Sequence, residues 1–346
     1  MQQIIAILLA GLITSAHADT LTLLNWEGYL SEEVIKAWEA RSGHKIEQVY
    51  FDNDEDRDNV LVGHKNKVID LVVIDETANR IFGNKGTFVA LTSYENVQNL
   101  NLIDKNWQKN CGPYGIPYLW GTLGISYRTD KVSLPPTSWD FILNPADSLK
   151  GHIGLIDDYV DTLAPALIGM NKSINSDHSA DLRQAFNIMK SILPSILTFE
   201  YSISFVDADE SRDELYVALT YSGDQYTLNE KAGKNIWQYT TLKEGTIAWV
   251  DCLAIMKDSP RKDIAYDFLN YLYSPKVAAE NSESIYVASP IKAARDLQSE
   301  EFLADESVYP PVHIMENAQY YKVLSPANTL LRNRITSSLI KLHETQ

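Results

Sequence analysis

Aromatic rings and carboxylates recur together along this chain, each time just after a short apolar run. Trp26, Glu27 and Tyr29 follow the first such run, and Asp75 and Glu76 follow a later one. Asp157, Asp158 and Asp161 come after residues 153–156, and Tyr221 and Asp224 come after residues 217–220. Trp249 and Asp251 are two positions apart, so on a strand they share a face. Taken singly, such an Asp caps a helix and such a Trp fills a core. Taken together, they suit a chain of methylenes punctuated by ammonium groups. Rings cover the methylenes and attract the charges at about 0.5–2 kcal/mol each. Each buried ammonium also needs a carboxylate, because an unpaired buried charge is costly. A linear polyamine is such a cation.

Other chemistries fit less well. Asp52, Asp54 and Asp56 imitate the start of a calcium loop, but Arg57 stands at its sixth position and Gly63 at its twelfth. An acidic first turn of a helix accounts for them better. The histidines (17, 44, 64, 152, 178, 313 and 343) have no metal-ligand spacing, and the pair Tyr320-Tyr321 reads as an amphipathic face rather than an iron site. No phosphate-binding or nucleophile-elbow motif occurs, so no cofactor, metal or catalysis is expected. Asp158 and Asp161 as the acid pair of a glycoside hydrolase is the enzymatic alternative. Lys and Arg number 30 against 46 Asp and Glu, a net charge of −16 that attracts cations and excludes a nucleic-acid partner.

These residues need elements to hold them. Strands are predicted at 21–24, 45–50, 68–74, 121–127, 153–156, 217–222 and 247–256. A helix is predicted after Ser31 as N-cap, with Val34, Ile35 and Trp38 at helical spacing and Gly43 as its stop. Further helices are predicted at 180–193, 261–273, 276–283 and 326–342. The alternation predicts an α/β fold with mostly parallel sheets, in which ligands collect beyond the carboxyl ends of the strands. A chain of 346 residues suits two lobes, and no flexible linker divides it, so the lobes should be hinged through short strands.

Residues 4–13 form an apolar run too short to span a bilayer, followed by the small-x-small pattern Ala16-His17-Ala18. Cleavage after Ala18 would release an exported chain starting at Asp19. In an oxidising compartment Cys111 and Cys252 could pair, or they could be two separate buried thiols; the sequence leaves both open.

From Asn25-Trp26-x-x-Tyr29 onward, the chain resembles the periplasmic spermidine/putrescine-binding proteins, which are polyamine-binding members of the bacterial extracellular solute-binding proteins. The resemblance continues through Asp70-Leu71-Val72-Val73, residues 116–121, Ser138-Trp139, Asp157-Asp158, Trp249-Val250-Asp251 and Ala294-Arg295. It implies a two-lobed, type II-like hinged clamp. After the 1–18 signal peptide, the first lobe would take 19–125 and the return segment 253–287. The second lobe would take 126–252 and 288–346.

It also implies a ligand set of Trp26, Glu27, Tyr29, Asp75, Asp158, Asp161, Tyr221, Trp249, Asp251 and Tyr286. Within it Trp26 and Tyr29 are first-lobe aromatics, and Asp158 and Asp161 are the acidic pair of the second lobe. Trp249 and Asp251 lie near the hinge, and Tyr221 stands where the family has Trp. Gln319 would be a polar amine contact. Asp75-Glu76-Thr77, Glu27 and the shifted Tyr286 depart from the family pattern and bear on ligand length and delivery. The implied partner of a periplasmic monomer is an ABC-type permease. In a branch that senses norspermidine, the partner is instead a membrane-bound cyclic-di-GMP enzyme controlling biofilm formation.

Overall fold

The computed structural model describes residues 18–51, 53–63, 68–90 and 97–345. Residues 1–17 of the expected signal peptide lie outside the described residues. Strand β1 (Thr20–Asn25) is apolar and buried from Leu21 onward. It leads into the helix Glu32–Ser42, which buries Val34, Ile35 and Trp38. That helix stops at Gly43, whose left-handed φ of 75° lets its N–H reach Glu39 O. Ser31 does not cap with its side chain as expected; its backbone N–H instead donates to Asn281 Oδ1 at 2.9 Å.

The remaining strands are β2 (Lys45–Tyr50), β3 (Leu71–Asp75), β4 (Ile116–Arg128), β5 (Ile153–Gly154), β6 (Ile196–Thr198), β7 (Val217–Tyr221), β8 (Trp237–Thr240), β9 (Ile247–Ile255) and β10 (Gln319–Tyr320). They form one sheet in the order β2-β1-β3-β9-β4-β7-β5-β6, with β8 added on β4 and β10 on β9. The expected parallel pairing holds in the wings and where β10 joins β9, but not among the central strands themselves. β1 runs parallel to β2 and β3, and β5 runs parallel to β6 and β7, but β3/β9, β9/β4 and β4/β7 are antiparallel. The reason is connectivity: β4 and β9 carry the chain across the middle in opposite directions.

Two cores divide along those crossing strands. On β4, Ile116 and Tyr118–Trp120 pack into the first core, whereas Leu123, Ile125 and Tyr127 pack into the second. On β9, Ile247 belongs to the second core, and Ala248 and Val250 to the first. The changeovers coincide because Gly121, Thr122 and Leu123 pair with Trp249, Ala248 and Ile247. β10 crosses at the same level, Gln319 and Tyr320 pairing with Ile247 and Ala248, so three strands pass through the waist between the two lobes.

Val287, Ala288, Ile291, Ala294, Phe302, Val308 and Tyr309 also pack into the first core. Residues 288–309 thus side with the first core rather than with the second, where the sequence reading put them. Cys252, placed with the second lobe by that reading, also packs in the first core, joined to Cys111 in a disulfide with Cα atoms 5.7 Å apart. The terminal helix Pro326–Glu344 packs on the second core through Leu339 and against the helix Ser179–Ser191.

Candidate functional site

The waist gathers the chemistry. Asp75 ends β3 directly opposite Asp251 on β9, so their side chains leave the same face of neighbouring strands. Asp75 is also a helix cap. Its Oδ1 accepts from Thr77 N and Ala78 N at 2.9 and 2.8 Å, and its Oδ2 meets Arg57 Nη1 at 3.0 Å. Beside Asp251 lies the buried Tyr29 hydroxyl, which closes no hydrogen bond in good geometry. Tyr29 meets Tyr118 edge-on at 6.0 Å, and Trp26 tilts over Phe51 at 4.3 Å.

Trp249 follows on the same face as Asp251, and Gly121 makes room for it. A Cβ there would come within 2.4 Å of both the indole and Ser222 Oγ. The indole meets Tyr221 edge-on at 6.3 Å. Across the waist, Tyr221 and Tyr321 each donate a 2.6 Å hydrogen bond to Asp161, one to each carboxylate oxygen. Asp158 Oδ1 accepts from Val160 N and Asp161 N at 2.6 and 2.8 Å, folding the turn that presents Asp161. Behind Tyr221, Asp224 accepts from Tyr201 Oη and Tyr221 N at 2.7 and 2.8 Å.

Enclosure changes the acidity of these groups. Burial, reinforced by Asp158 and opposed by the two tyrosines, pushes Asp161 up to about 7. Burial pushes Asp251 up to about 7 against the Tyr29 hydroxyl, and Asp224 up to about 7 against Tyr201. Burial also raises Asp158, where two backbone N–H groups resist it. Asp54 is pushed upward by enclosure and by Asp75, Asp158 and Asp251, although with its side chain 60% exposed water screens much of this. Acids from both lobes therefore feel one another. Among the described residues they do not converge into a group of three or more that could hold a metal ion. They are strung across the waist.

Residues 33–309 match the family model described as bacterial extracellular solute-binding protein. The chain belongs to that family. It is 34% identical to the norspermidine sensor of Vibrio cholerae serotype O1, over 95% of this chain and 91% of that protein. It is 29% identical to the putrescine-binding periplasmic protein PotF of Escherichia coli K12, over 92% of this chain and 91% of that protein. The solved spermidine/putrescine substrate-binding protein PotD of Streptococcus pneumoniae superposes with a TM-score of 0.82 at 22% identity, covering 94% of this chain and 99% of that one. The two-lobed solute-binding fold is therefore shared. No described helix of this solute-binding protein is long and apolar enough to cross a membrane.

The sequence-derived candidates fall into two groups. Tyr29, Asp75, Asp158, Asp161, Tyr221, Trp249 and Asp251 are coupled across the waist by the contacts and charges above. Trp26 is half-buried beside them through Phe51, while Glu27 is exposed and its charge acts on Tyr50. Tyr286 is 46% exposed and stacks on Tyr226 at 4.3 Å. Gln319 is tied up elsewhere, accepting from Ile174 N at 2.9 Å and donating to Lys172 O at 3.1 Å.

Arg57, Tyr201 and Tyr321 escaped the sequence reading. Tyr321 was legible only as half of a tyrosine pair. Its reach to Asp161 depends on β10 docking beside β9, which no local pattern announces.

Proposed function

We propose that this solute-binding protein closes over a linear polyamine at the waist between its lobes. The observation that carries the reading is the line of alternating acids and rings crossing from one core to the other. Asp251 with Tyr29 stands on the first lobe, Trp249 at the waist, and Asp161 with Tyr221, Tyr321 and Asp158 on the second. An ammonium would bind at each acidic end, and the methylenes between would lie on the rings. Trp26, Glu27, Asp75 and Tyr286 border the cleft. Closure follows because a ligand touching both lobes binds the closed form better than the open one.

The names of the relatives support the same ligand class. Nothing in the reading calls for bond-breaking chemistry. The protein acts as a monomer in the periplasm after removal of residues 1–18, and it delivers polyamine to an inner-membrane ABC permease. A second reading, in which occupancy is reported to a membrane-bound cyclic-di-GMP enzyme, is favoured by the 34% identity to a norspermidine sensor.

Calorimetric titration of residues 19–346, stripped of carried-over ligand, with putrescine, norspermidine, spermidine and spermine tests the class. Micromolar or tighter binding to any of them is expected. Folded protein that binds none of them refutes the reading.

A further inference from the structure

We infer that Arg57 is a built-in cation that fills the first-lobe end of the cleft and limits the site to two ligand ammoniums, one for each lobe; this rests on the polyamine reading above. Arg57 lies on the helix Asp54–Gly63 and is 1% exposed. Its Nη1 meets Asp54 Oδ1 at 2.7 Å and Asp75 Oδ2 at 3.0 Å, while Nε and Nη2 meet Asp58 Oδ1 at 3.0 and 2.8 Å. The guanidinium carbon stands 5.9 Å from the centroid of the Phe51 ring, which packs against Trp26. Acids on two sides and an aromatic face are the surroundings that a ligand's terminal ammonium requires. Here a side chain of the protein already occupies them, and its charge is permanent because arginine does not deprotonate in proteins.

The consequence runs through Asp75. It faces Asp251 across β3 and β9, so it is the natural partner for an ammonium one step further along the ligand. Its charge is already matched by the Arg57 cation on Oδ2, with Oδ1 held by the helix N–H groups, whereas the two neutral tyrosine hydroxyls on Asp161 leave that acid's charge unmatched. A ligand extending past Asp251 would have to displace a bidentate-capable guanidinium held by three acids, Asp54, Asp58 and Asp75. Of the acids strung across the waist, those that Arg57 does not hold are Asp251 on one side and the pair Asp158 and Asp161 on the other; Glu76 is turned to the β9 backbone, its Oε2 accepting from Val250 N at 3.3 Å. The site thus takes a diamine, or two neighbouring amines of a longer chain.

The test is titration of the mature chain with putrescine and with spermidine, which is putrescine extended by one aminopropyl group. In the parent, the extension is expected to change affinity by less than about tenfold. Arg57→Met combined with Asp54→Asn leaves the net charge of the cleft unchanged and frees Asp75. The preference for spermidine over putrescine should then rise by about tenfold or more, the worth of one freed carboxylate–ammonium pair. Arg57→Lys loses the fork but keeps a positive charge among these acids, and should leave the preference closer to the parent's than to the double variant's.

An unchanged preference in the folded double variant overturns the role of Arg57 while leaving polyamine binding intact. A gain from the aminopropyl group of about 100-fold or more in the parent does the same without any variant, should the double variant not fold. A parent that binds neither amine overturns this inference together with the functional reading beneath it.

Discussion

Asp251 and Asp161 are placed alike on opposite lobes: each is enclosed, each is held by tyrosine hydroxyls or faces one, and each is pushed up to about 7, so the proposal gives them matching roles. Their substitutions should therefore separate binding from stability. Asp251→Asn and Asp161→Asn remove an ammonium's partner and should weaken polyamine binding by about 100-fold or more. They should not lower the melting temperature of the empty protein, because the native carboxyls are already partly protonated near neutrality. Calorimetry and a melt on the same samples check both halves; retained affinity in either variant removes that carboxylate from the site. Tyr321→Phe deletes one of two donors that favour the ionised form of Asp161. The pH midpoint for ligand binding should then move upward, which a titration series from pH 5.5 to 8.5 reads directly.

The paired strands β4 and β9 form the element on which the site depends, since they hold Trp249 and Asp251 while joining the lobes. Their register at the waist requires a residue without a side chain opposite Trp249, which Gly121 supplies. Gly121→Ala should cost about 1–3 kcal/mol of stability through overpacking, and indole fluorescence should report a displaced Trp249. Native stability with unchanged fluorescence would show that the waist yields freely.

The same strand carries Cys252, whose disulfide to Cys111 closes a loop with a sequence separation of 141. On a chain-entropy account such a link contributes roughly 4–5 kcal/mol, so Cys111→Ser with Cys252→Ser should unfold at markedly lower urea than the oxidised parent. Equal midpoints would mean that the link constrains little in the unfolded chain.

At the scale of the molecule, the polyamine proposal makes protons and ligand rivals for the acids of the two lobes. Burial pushes Asp161, Asp224 and Asp251 up to about 7 in the fold, whereas ordinary aspartates ionise near 4. Between about pH 4 and 7 the native state therefore binds more protons than the unfolded chain does. Stability of the empty protein should fall as pH rises through that window and level off above it, once the native protons are gone. A polyamine needs the ionised acids, so its affinity should rise over the same interval and its binding should release protons. Calorimetry in buffers of different ionisation enthalpy counts those protons, and a pH-independent affinity with no proton release would contradict the shared occupancy.

Much of this was legible along the chain because it depends on neighbours in sequence. Alternating apolar runs placed β1, β2, β7 and β9 to within a residue or two, and Gly43 marked a helix end that only a left-handed residue could make. The acidic turn at Asp54–Asp56 read correctly as the start of a helix rather than a calcium loop. The recurring acids and rings after strands also pointed to one kind of cation, since each residue type carries its chemistry wherever it lies.

What the tertiary structure decided was which of these residues meet. Antiparallel docking of β3 on β9 put Asp75 opposite Asp251, and the disulfide chose between two readings that the spacing of cysteines left open. Arg57 sat unnoticed in a failed calcium pattern until folding surrounded it with Asp54, Asp58 and Asp75. Tyr321 reached Asp161 from 160 residues away. Local pattern fixes periodicity and caps, while pairing between distant strands is set by how two cores can be filled at once, and that sum is written nowhere in any single segment.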